Sequence, residues 1–275
     1  MPPPLEVQGA ILGAVQGLTE FLPVSSSAHL VALPKLLGWP YLGKTFDVSL
    51  HLGTLIALGG QYRAEVQELL RAFGRLVFRC GKPQGEWETT LVLLAVASVP
   101  AAVGGYLLDG LVEQYLQGLA LVAIVSLAWG TLLSWADRRA STLRVRELTW
   151  PKAIAVGLAQ MAALLPGTSR SGATLTAGMA LGLSRAEAAR FSMLCSLPLV
   201  AGAVMYKGFG LIGERPDPQM LRAMFLGTLT SAWVGQLCLR GFLKHLESGS
   251  LRLFALYRWA FGLGLLLWVS GPGQQ

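Results

Sequence analysis

One carboxylate and one guanidinium, each set beside a cluster of hydroxyls, are the residues of this sequence best placed to do chemistry. Glu20 is the only formal charge within residues 7–34, and Arg170 is the only one within residues 153–184. A lone charge in an apolar stretch that lies at membrane depth is costly unless it is paired or hydrated. We therefore expect both residues to have a function.

The first motif, QGLTEFLPVSSSAHL (Gln16–Leu30), offers a nucleophile, a base and a metal ligand. A serine hydroxyl needs an adjacent base to become a nucleophile, and His29 can act as that base or as a proton donor. The carboxylate of Glu20 can hold Mg²⁺ through oxygen, and Gln16 lies one helical turn earlier on the same face. The hydroxyls are Ser25, Ser26 and Ser27. A plain helix cap for the serines and a structural histidine are the alternatives.

The second motif, LLPGTSRSGAT (Leu164–Thr174), has the composition of a phosphate site. Glycines and small residues let the backbone approach a ligand closely, and the N–H groups that open a helix attract anions. The guanidinium of Arg170 matches phosphate oxygens in a two-pronged contact. The hydroxyls of Ser169, Ser171 and Thr174 add further contacts. The alternative is that Arg170 pairs with a buried carboxylate and the glycines only bend a helix.

Both motifs interrupt an apolar stretch. Proline followed by Ser, Thr or Gly breaks residues 5–37 near Pro23 and residues 151–182 near Pro166. Each half is shorter than the roughly 20 residues that cross a bilayer. The pattern predicts two re-entrant helical hairpins, whose irregular turns need surrounding protein or a wet cavity.

The composition is that of an integral membrane protein. The 275 residues are 53% hydrophobic and only 13% charged, with a mean hydropathy of +0.53, whereas soluble domains carry about 25% charged residues. The net charge of +7 does not indicate nucleic-acid binding, because the basic residues fall in short loops between apolar spans. The three cysteines are too scattered for a metal motif. We predict one membrane domain, residues 1–275.

Six further apolar runs predict membrane spans, the fourth of them as the continuation of a helix that begins near Arg185. We therefore predict an all-α polytopic membrane protein with six transmembrane helices and two re-entrant hairpins. The first span is extended by an amphipathic tail through Leu70, and the last contains Arg258. The runs cover residues 48–62, 91–108, 115–136, 191–206, 223–239 and 253–269.

The loop charges predict an orientation, since cytoplasmic loops are enriched in Lys and Arg. The loop after the second span carries Asp109 and Glu113 and no basic residue, so it faces outward. Both termini then face outward, the first hairpin enters from outside, and the second enters from the cytoplasm. The basic loops hold Arg71, Arg75, Arg79 and Lys82; Arg138, Arg139, Arg144, Arg146 and Lys152; and Arg240 and Lys244.

An internal repeat agrees with this layout. Leu22-Pro23 and Leu165-Pro166 are 143 residues apart, and each pair precedes three spans. An odd number of spans per repeat gives opposite orientations, so residues 5–136 and 151–270 form an inverted-topology repeat with a site near the midplane. Glycines in the spans, such as Gly202 and Gly262, permit close helix packing within one chain or in a homodimer.

Both motifs closely resemble the signatures of a bacterial family, the undecaprenyl-diphosphate phosphatases of the bacitracin-resistance type (UppP/BacA). The resemblance implies an inner-membrane enzyme, open to the outer face, that hydrolyses undecaprenyl diphosphate to the monophosphate and phosphate. This reaction recycles the lipid carrier of cell-wall synthesis, and activity in the family needs a divalent cation such as Mg²⁺ or Ca²⁺. Carried over by motif, Glu20, Ser26, His29 and Arg170 are the essential residues. Some members have Glu where this chain has Gln16, which leaves Glu20 as the motif's only carboxylate.

The resulting hypothesis is phosphoryl transfer to water, with Arg170 stabilising the phosphate charge and Glu20 holding the cation. Ser26 and His29 both remain candidates for the nucleophile. The rival hypothesis is a transporter or flippase of isoprenyl phosphate or another anion, because broken helices in inverted repeats are a transporter layout. A nucleophile and base pair would have no use in a pure transporter, so the residues favour the enzyme.

Overall fold

The computed structural model of the chain describes residues 2–79, 82–115, 118–211, 217–247 and 249–271. Over those residues the fold is all-helical, as predicted, apart from one isolated β-bridge between Leu143 and Leu183. A short 3-10 helix spans Val145–Glu147. The α-helices are α1 (Leu5–Glu20), α2 (Ser26–Leu37), α3 (Lys44–Gln61), α4 (Arg63–Arg79), α5 (Glu86–Tyr115), α6 (Leu119–Asp137), α7 (Trp150–Ala162), α8 (Arg170–Ala180), α9 (Arg185–Leu211), α10 (Pro218–Leu246) and α11 (Arg252–Val269).

Four of the described helices are long and apolar enough to cross a membrane. They contain Glu86–Leu108, Leu119–Asp137, Arg185–Tyr206 and Arg252–Val269, and they belong to α5, α6, α9 and α11. These four match four of the six predicted spans. The other two predicted spans lie in α3 and α10, which carry more polar side chains than the four.

The predicted amphipathic tail of the first span forms a helix of its own. α3 ends at Gln61, and α4 begins at Arg63 as a separate helix. The intervening Tyr62 leaves the helical conformation, with φ −102° and ψ 31°, while its N–H still bonds to Leu58 O. Gly59 and Gly60, in the last turn of α3, are the sequence features nearest this junction.

The predicted breaks of the two motif stretches are confirmed. α1 and α2 are separated by residues 21–25, and α7 and α8 by residues 163–169. Ser25 caps α2 and Ser169 caps α8, each accepting a bond from the backbone N–H three residues later. These two caps are the only described non-glycine residues with positive φ, at 77° and 71°. Such a conformation costs on the order of 1–3 kcal/mol and persists only where the surroundings impose it.

The two turns, residues 21–25 and 163–169, have the same local structure. Their capping serines are 144 residues apart, whereas the Leu-Pro pairs are 143 residues apart. In addition to capping a helix, Ser25 Oγ and Ser169 Oγ each lie 3.2 Å from the hydroxyl two residues later. The cap is followed by Ser26 in the first turn and by Arg170 in the second. The same local structure therefore presents a hydroxyl from one turn and a guanidinium from the other.

Small residues bring α1 unusually close to α10. Gly9, Gly13 and Gly17 follow one another at four-residue spacing and face Ala223, Gly227 and Gly235 on α10. A Cβ added at Gly17 would lie 2.6 Å from the backbone of Gly235, so no larger residue fits there. This packing fixes α1, and with it the first turn, against the second half of the chain. The largest buried apolar cluster draws on both halves of the chain, including Phe21 of the first turn and Leu175 of α8.

Candidate active site

The carboxylate of Glu20 is the centre of a buried polar cluster where the two turns meet. It ends α1, and only 6% of the side chain is exposed. Oε1 accepts from Arg170 Nη2 at 2.8 Å, while Oε2 accepts from Ser26 Oγ at 2.5 Å and from Gln16 Nε2 at 3.1 Å. Four of the predicted site residues, from positions 150 residues apart, are thus in direct contact.

The guanidinium of Arg170 donates to Glu20 through Nη2, which leaves Nη1 for a ligand. It is the first residue of α8, directly after the cap, so the turn geometry aims it back at the first motif. Among the described residues Nη1 has no hydrogen-bond partner, although it is shielded from solvent. A buried guanidinium N–H without an acceptor is unfavourable, so this atom is suited to an anion's oxygen. The predicted alternative, pairing with a buried carboxylate, is also what the structure shows, and that carboxylate belongs to the site.

A small cavity of about 10 Å³, close to the volume that one water molecule needs, adjoins this ion pair. Polar and apolar side chains from α3 and α9 complete its wall opposite the two turns. Its lining residues are Glu20, Phe21, Thr54, Leu55, Leu58, Arg170, Ser196 and Val200.

The remaining hydroxyls of the two motifs hold the turns together or brace α8. Ser171 Oγ lies 3.0 Å from both Glu20 O and Leu22 O, so it ties the second turn to the backbone of the first. Thr174 Oγ1 lies 2.6 Å from Ser192 Oγ on α9. Ser27 and Ser169 take part in the cap contacts described above. The structure thus places these residues around the ion pair as its support.

Arg258 also belongs to the site, although the sequence pattern did not assign it a role there. It lies in α11 with a side chain only 1% exposed, and it donates to three backbone carbonyls. Nη1 bonds to Pro23 O at 3.1 Å, Nη2 to Gly167 O at 2.5 Å, and Nε to Ser126 O at 3.2 Å. One guanidinium therefore holds both turns at once. The available signal was its charge: Arg258 is the only charged residue within residues 253–269.

His51 is a second residue whose position the sequence did not reveal. Its Nε2 lies 3.7 Å from Glu20 Oε2, and its Nδ1 lies 2.9 Å from Asp47 O. Because a carbonyl only accepts, Nδ1 carries a proton and Nε2 is the nitrogen that faces Glu20. The side chain is 30% exposed, so it connects the buried carboxylate with the surface.

His29 does not bond to Ser26, although the two are only three residues apart. Its Nδ1 lies 2.7 Å from Ser25 O, and its Nε2 lies 2.6 Å from the hydroxyl of Tyr257. The proton acceptor of Ser26 is Glu20 instead. Of the two nucleophiles that the sequence left open, Ser26 is therefore the one already bonded to a base.

The oxygen donors near Glu20 fit a divalent cation that also binds substrate. Gln16 Oε1 is buried and has no hydrogen-bond partner among the described residues, and it lies on the residue that bonds to Glu20. The described part of the chain contains no group of three or more His, Cys, Asp or Glu residues that would enclose a metal. Mg²⁺ commonly uses one or two protein oxygens and completes its shell with water and phosphate. Glu20 and Gln16 match that requirement.

Replacing Arg258 with Lys should damage both turns while leaving one positive charge in place. An ammonium group cannot reproduce the planar three-way contact, and each buried carbonyl left without a partner costs about 1–3 kcal/mol. We expect a lower thermal unfolding midpoint in detergent and a large loss of activity. The matched control is Arg252→Lys on the exposed start of the same helix, which should change neither. An Arg258→Lys variant as stable and active as the wild type would contradict this role.

Comparison with known proteins agrees with the site. The family model described as "Bacitracin resistance protein BacA" matches residues 9–264. Three similar curated proteins are each named "Undecaprenyl-diphosphatase". The protein from Hahella chejuensis is 39% identical over 94% of this chain and 96% of its own length. That from Chromohalobacter salexigens is 42% identical over 94% and 97%, and that from Pelotomaculum thermopropionicum is 41% identical over 94% and 95%. With both motifs in contact and nearly the whole chain matched, this protein belongs to the BacA family.

Proposed function

We propose that this protein is a membrane phosphatase that hydrolyses undecaprenyl diphosphate to undecaprenyl phosphate and inorganic phosphate. The observation that carries the proposal is the hydrogen bond from Ser26 Oγ to Glu20 Oε2 beside Arg170, because it pairs a nucleophile with a base next to an anion-binding guanidinium. The names of the family's curated members support the substrate. A transporter would need the guanidinium but not the activated hydroxyl.

The first step forms a phospho-enzyme. Ser26 Oγ attacks the terminal phosphorus while its proton passes to Glu20 Oε2. The bond from phosphorus to the bridging oxygen breaks, and that oxygen leaves as part of the prenyl monophosphate. Arg170 Nη1, which has no protein acceptor, binds a phosphoryl oxygen and stabilises the charge that develops there.

The second step releases phosphate. Glu20 first gives up its proton to solvent as the prenyl phosphate departs. A water molecule then attacks phosphorus, the bond to Ser26 Oγ breaks, and the water proton returns to the serine through Glu20. His29 can accept or return a proton only through Nε2, because Nδ1 donates to the Ser25 carbonyl.

Mg²⁺ or Ca²⁺ would be held by Glu20 and Gln16 together with substrate oxygens. When bound, the cation supplies charge neutralisation on the diphosphate. Arg170 and Arg258 supply fixed positive charge from the protein side of the same site. Because the protein offers only these two ligands, we expect the cation to arrive bound to the diphosphate.

The membrane arrangement is part of the proposal. We place six spans and two re-entrant hairpins in the inner membrane of a bacterial cell, as an inverted repeat of residues 5–136 and 151–270. From the charge of the basic loops we place both termini outside, and the resemblance to the family implies a site that opens to the outer face. The meeting of two helix breaks around buried charges supports this layout, since irregular backbone at membrane depth must be enclosed by protein or by a wet cavity. A homodimer stays a prediction.

The proposal is tested by phosphate release from a C15 or C55 prenyl diphosphate by purified protein in detergent. We expect release by the wild type with Mg²⁺, loss of release in EDTA, and a fall of about 10³-fold or more in Ser26→Ala, as for the removal of other nucleophiles. Ser98→Ala, which removes a hydroxyl bonded only to its own helix, is the matched control. Because detergent provides no second compartment, an inactive but folded wild type would reject the enzyme and leave the transporter.

The metal assignment is tested by Gln16→Glu. A second carboxylate beside Glu20 should strengthen cation binding, so the Mg²⁺ concentration for half-maximal activity should fall several-fold. Gln67→Glu on exposed α4 adds the same charge away from the site and should leave that concentration unchanged. An unaltered Mg²⁺ dependence in Gln16→Glu would remove Gln16 from the metal site.

A further inference from the structure

The ring of His29 is held on three sides, and the partner on its outer side is a tyrosine. The Tyr257 hydroxyl lies 2.6 Å from Nε2, and the Ser25 carbonyl lies 2.7 Å from Nδ1. Phe261 stacks on the imidazole with 4.5 Å between ring centroids and 21° between planes. Two successive turns of α11 thus define where this histidine points.

These contacts fix the tautomer of His29. A carbonyl oxygen accepts only, so the proton on the ring must be on Nδ1. In the neutral ring Nε2 then carries the lone pair, and the Tyr257 hydroxyl is the donor. Nε2 is consequently the only nitrogen that can exchange a proton with substrate or water.

Tyr257 is itself held in place by its neighbour in sequence. Arg258 bonds to the carbonyls of both turns, so the backbone of α11 is fixed relative to the reacting groups. The tyrosine side chain is 43% exposed, which leaves it within reach of a ligand. A side chain with a fixed backbone and an accessible hydroxyl is suited to orient a catalytic side chain.

We propose that Tyr257 is a positioning residue for the phosphatase reaction, acting through His29. Its hydroxyl donates to Nε2, which holds His29 neutral and keeps Nε2 directed to the open side, until a water molecule or a protonated phosphate oxygen replaces the tyrosine as the donor. This inference rests on the proposed function, since it assigns a role within that reaction.

Few charged groups lie on the elements that pack around His29, so its protonation can be followed. α1, which packs on α2, carries Glu6 at its start and Glu20 at its end, and Glu20 is paired with Arg170. On α11 the neighbouring charge is Arg258, and on α2 the charged residue is Lys35. α6, which also packs on α2, has no charged residue before Asp137. Since Tyr257 donates to the neutral ring, removing its hydroxyl favours the protonated ring.

The test is Tyr257→Phe, which removes one hydroxyl and keeps the stacked ring. We expect kcat to fall about fivefold, as for the loss of one hydrogen bond, with KM little changed. The acidic limb of the pH–rate profile should move to higher pH. Nitrogen NMR of labelled histidine, which is tractable with three histidines in the chain, should show a larger protonated fraction for His29 at a fixed, mildly acidic pH.

A double-mutant cycle separates positioning from a general structural effect. If Tyr257 acts through His29, adding Tyr257→Phe to His29→Gln should cause no further loss. Tyr106→Phe, at an 82% exposed position on α5, is the matched control and should behave as the wild type. Additive losses, or an unshifted pH profile and NMR signal in Tyr257→Phe, would overturn the inference. The NMR result stands even if the wild type proves not to be a phosphatase, so the two failures are distinguishable.

Discussion

The ion pair between Glu20 and Arg170 determines how the two halves of this protein meet. Both side chains are largely buried, and each is the only formal charge in its apolar stretch. Removing one partner of a buried pair costs about 3–5 kcal/mol, because an uncompensated charge stays behind. The two helix breaks must therefore lie side by side, and the helices that flank them must leave room for this contact. The glycines between α1 and α10 provide part of that room.

Around this pair the same turn is used twice for different purposes. Ser25 and Ser169 have matching positive φ values and matching caps, and Arg258 holds the carbonyl two residues before each of them. The residue after each cap is then presented toward the other turn. In the first turn it is a hydroxyl, and in the second it is a guanidinium. A shared backbone conformation thus brings the Ser26 hydroxyl and the Arg170 guanidinium to one place.

The sequence was sufficient for the parts of the site that depend on local pattern. Proline followed by small polar residues identified both breaks, and the isolated charges identified Glu20 and Arg170. Arg258, His51 and Tyr257 escaped because their partners are distant in sequence. Arg258 contacts Pro23 from 235 residues away, and Tyr257 contacts His29 from 228 residues away. No periodicity within one helix carries that information.

Binding of the diphosphate between the two turns can be seen in a structure of the complex. We would determine the structure of the wild type with a prenyl methylene-diphosphonate, whose bridging carbon prevents hydrolysis, in the presence of Mg²⁺. We expect the terminal phosphonate to lie within hydrogen-bonding distance of Arg170 Nη1 and next to Ser26 Oγ. A phosphonate bound away from both turns, or bound there with Ser26 out of reach of phosphorus, would contradict this expectation.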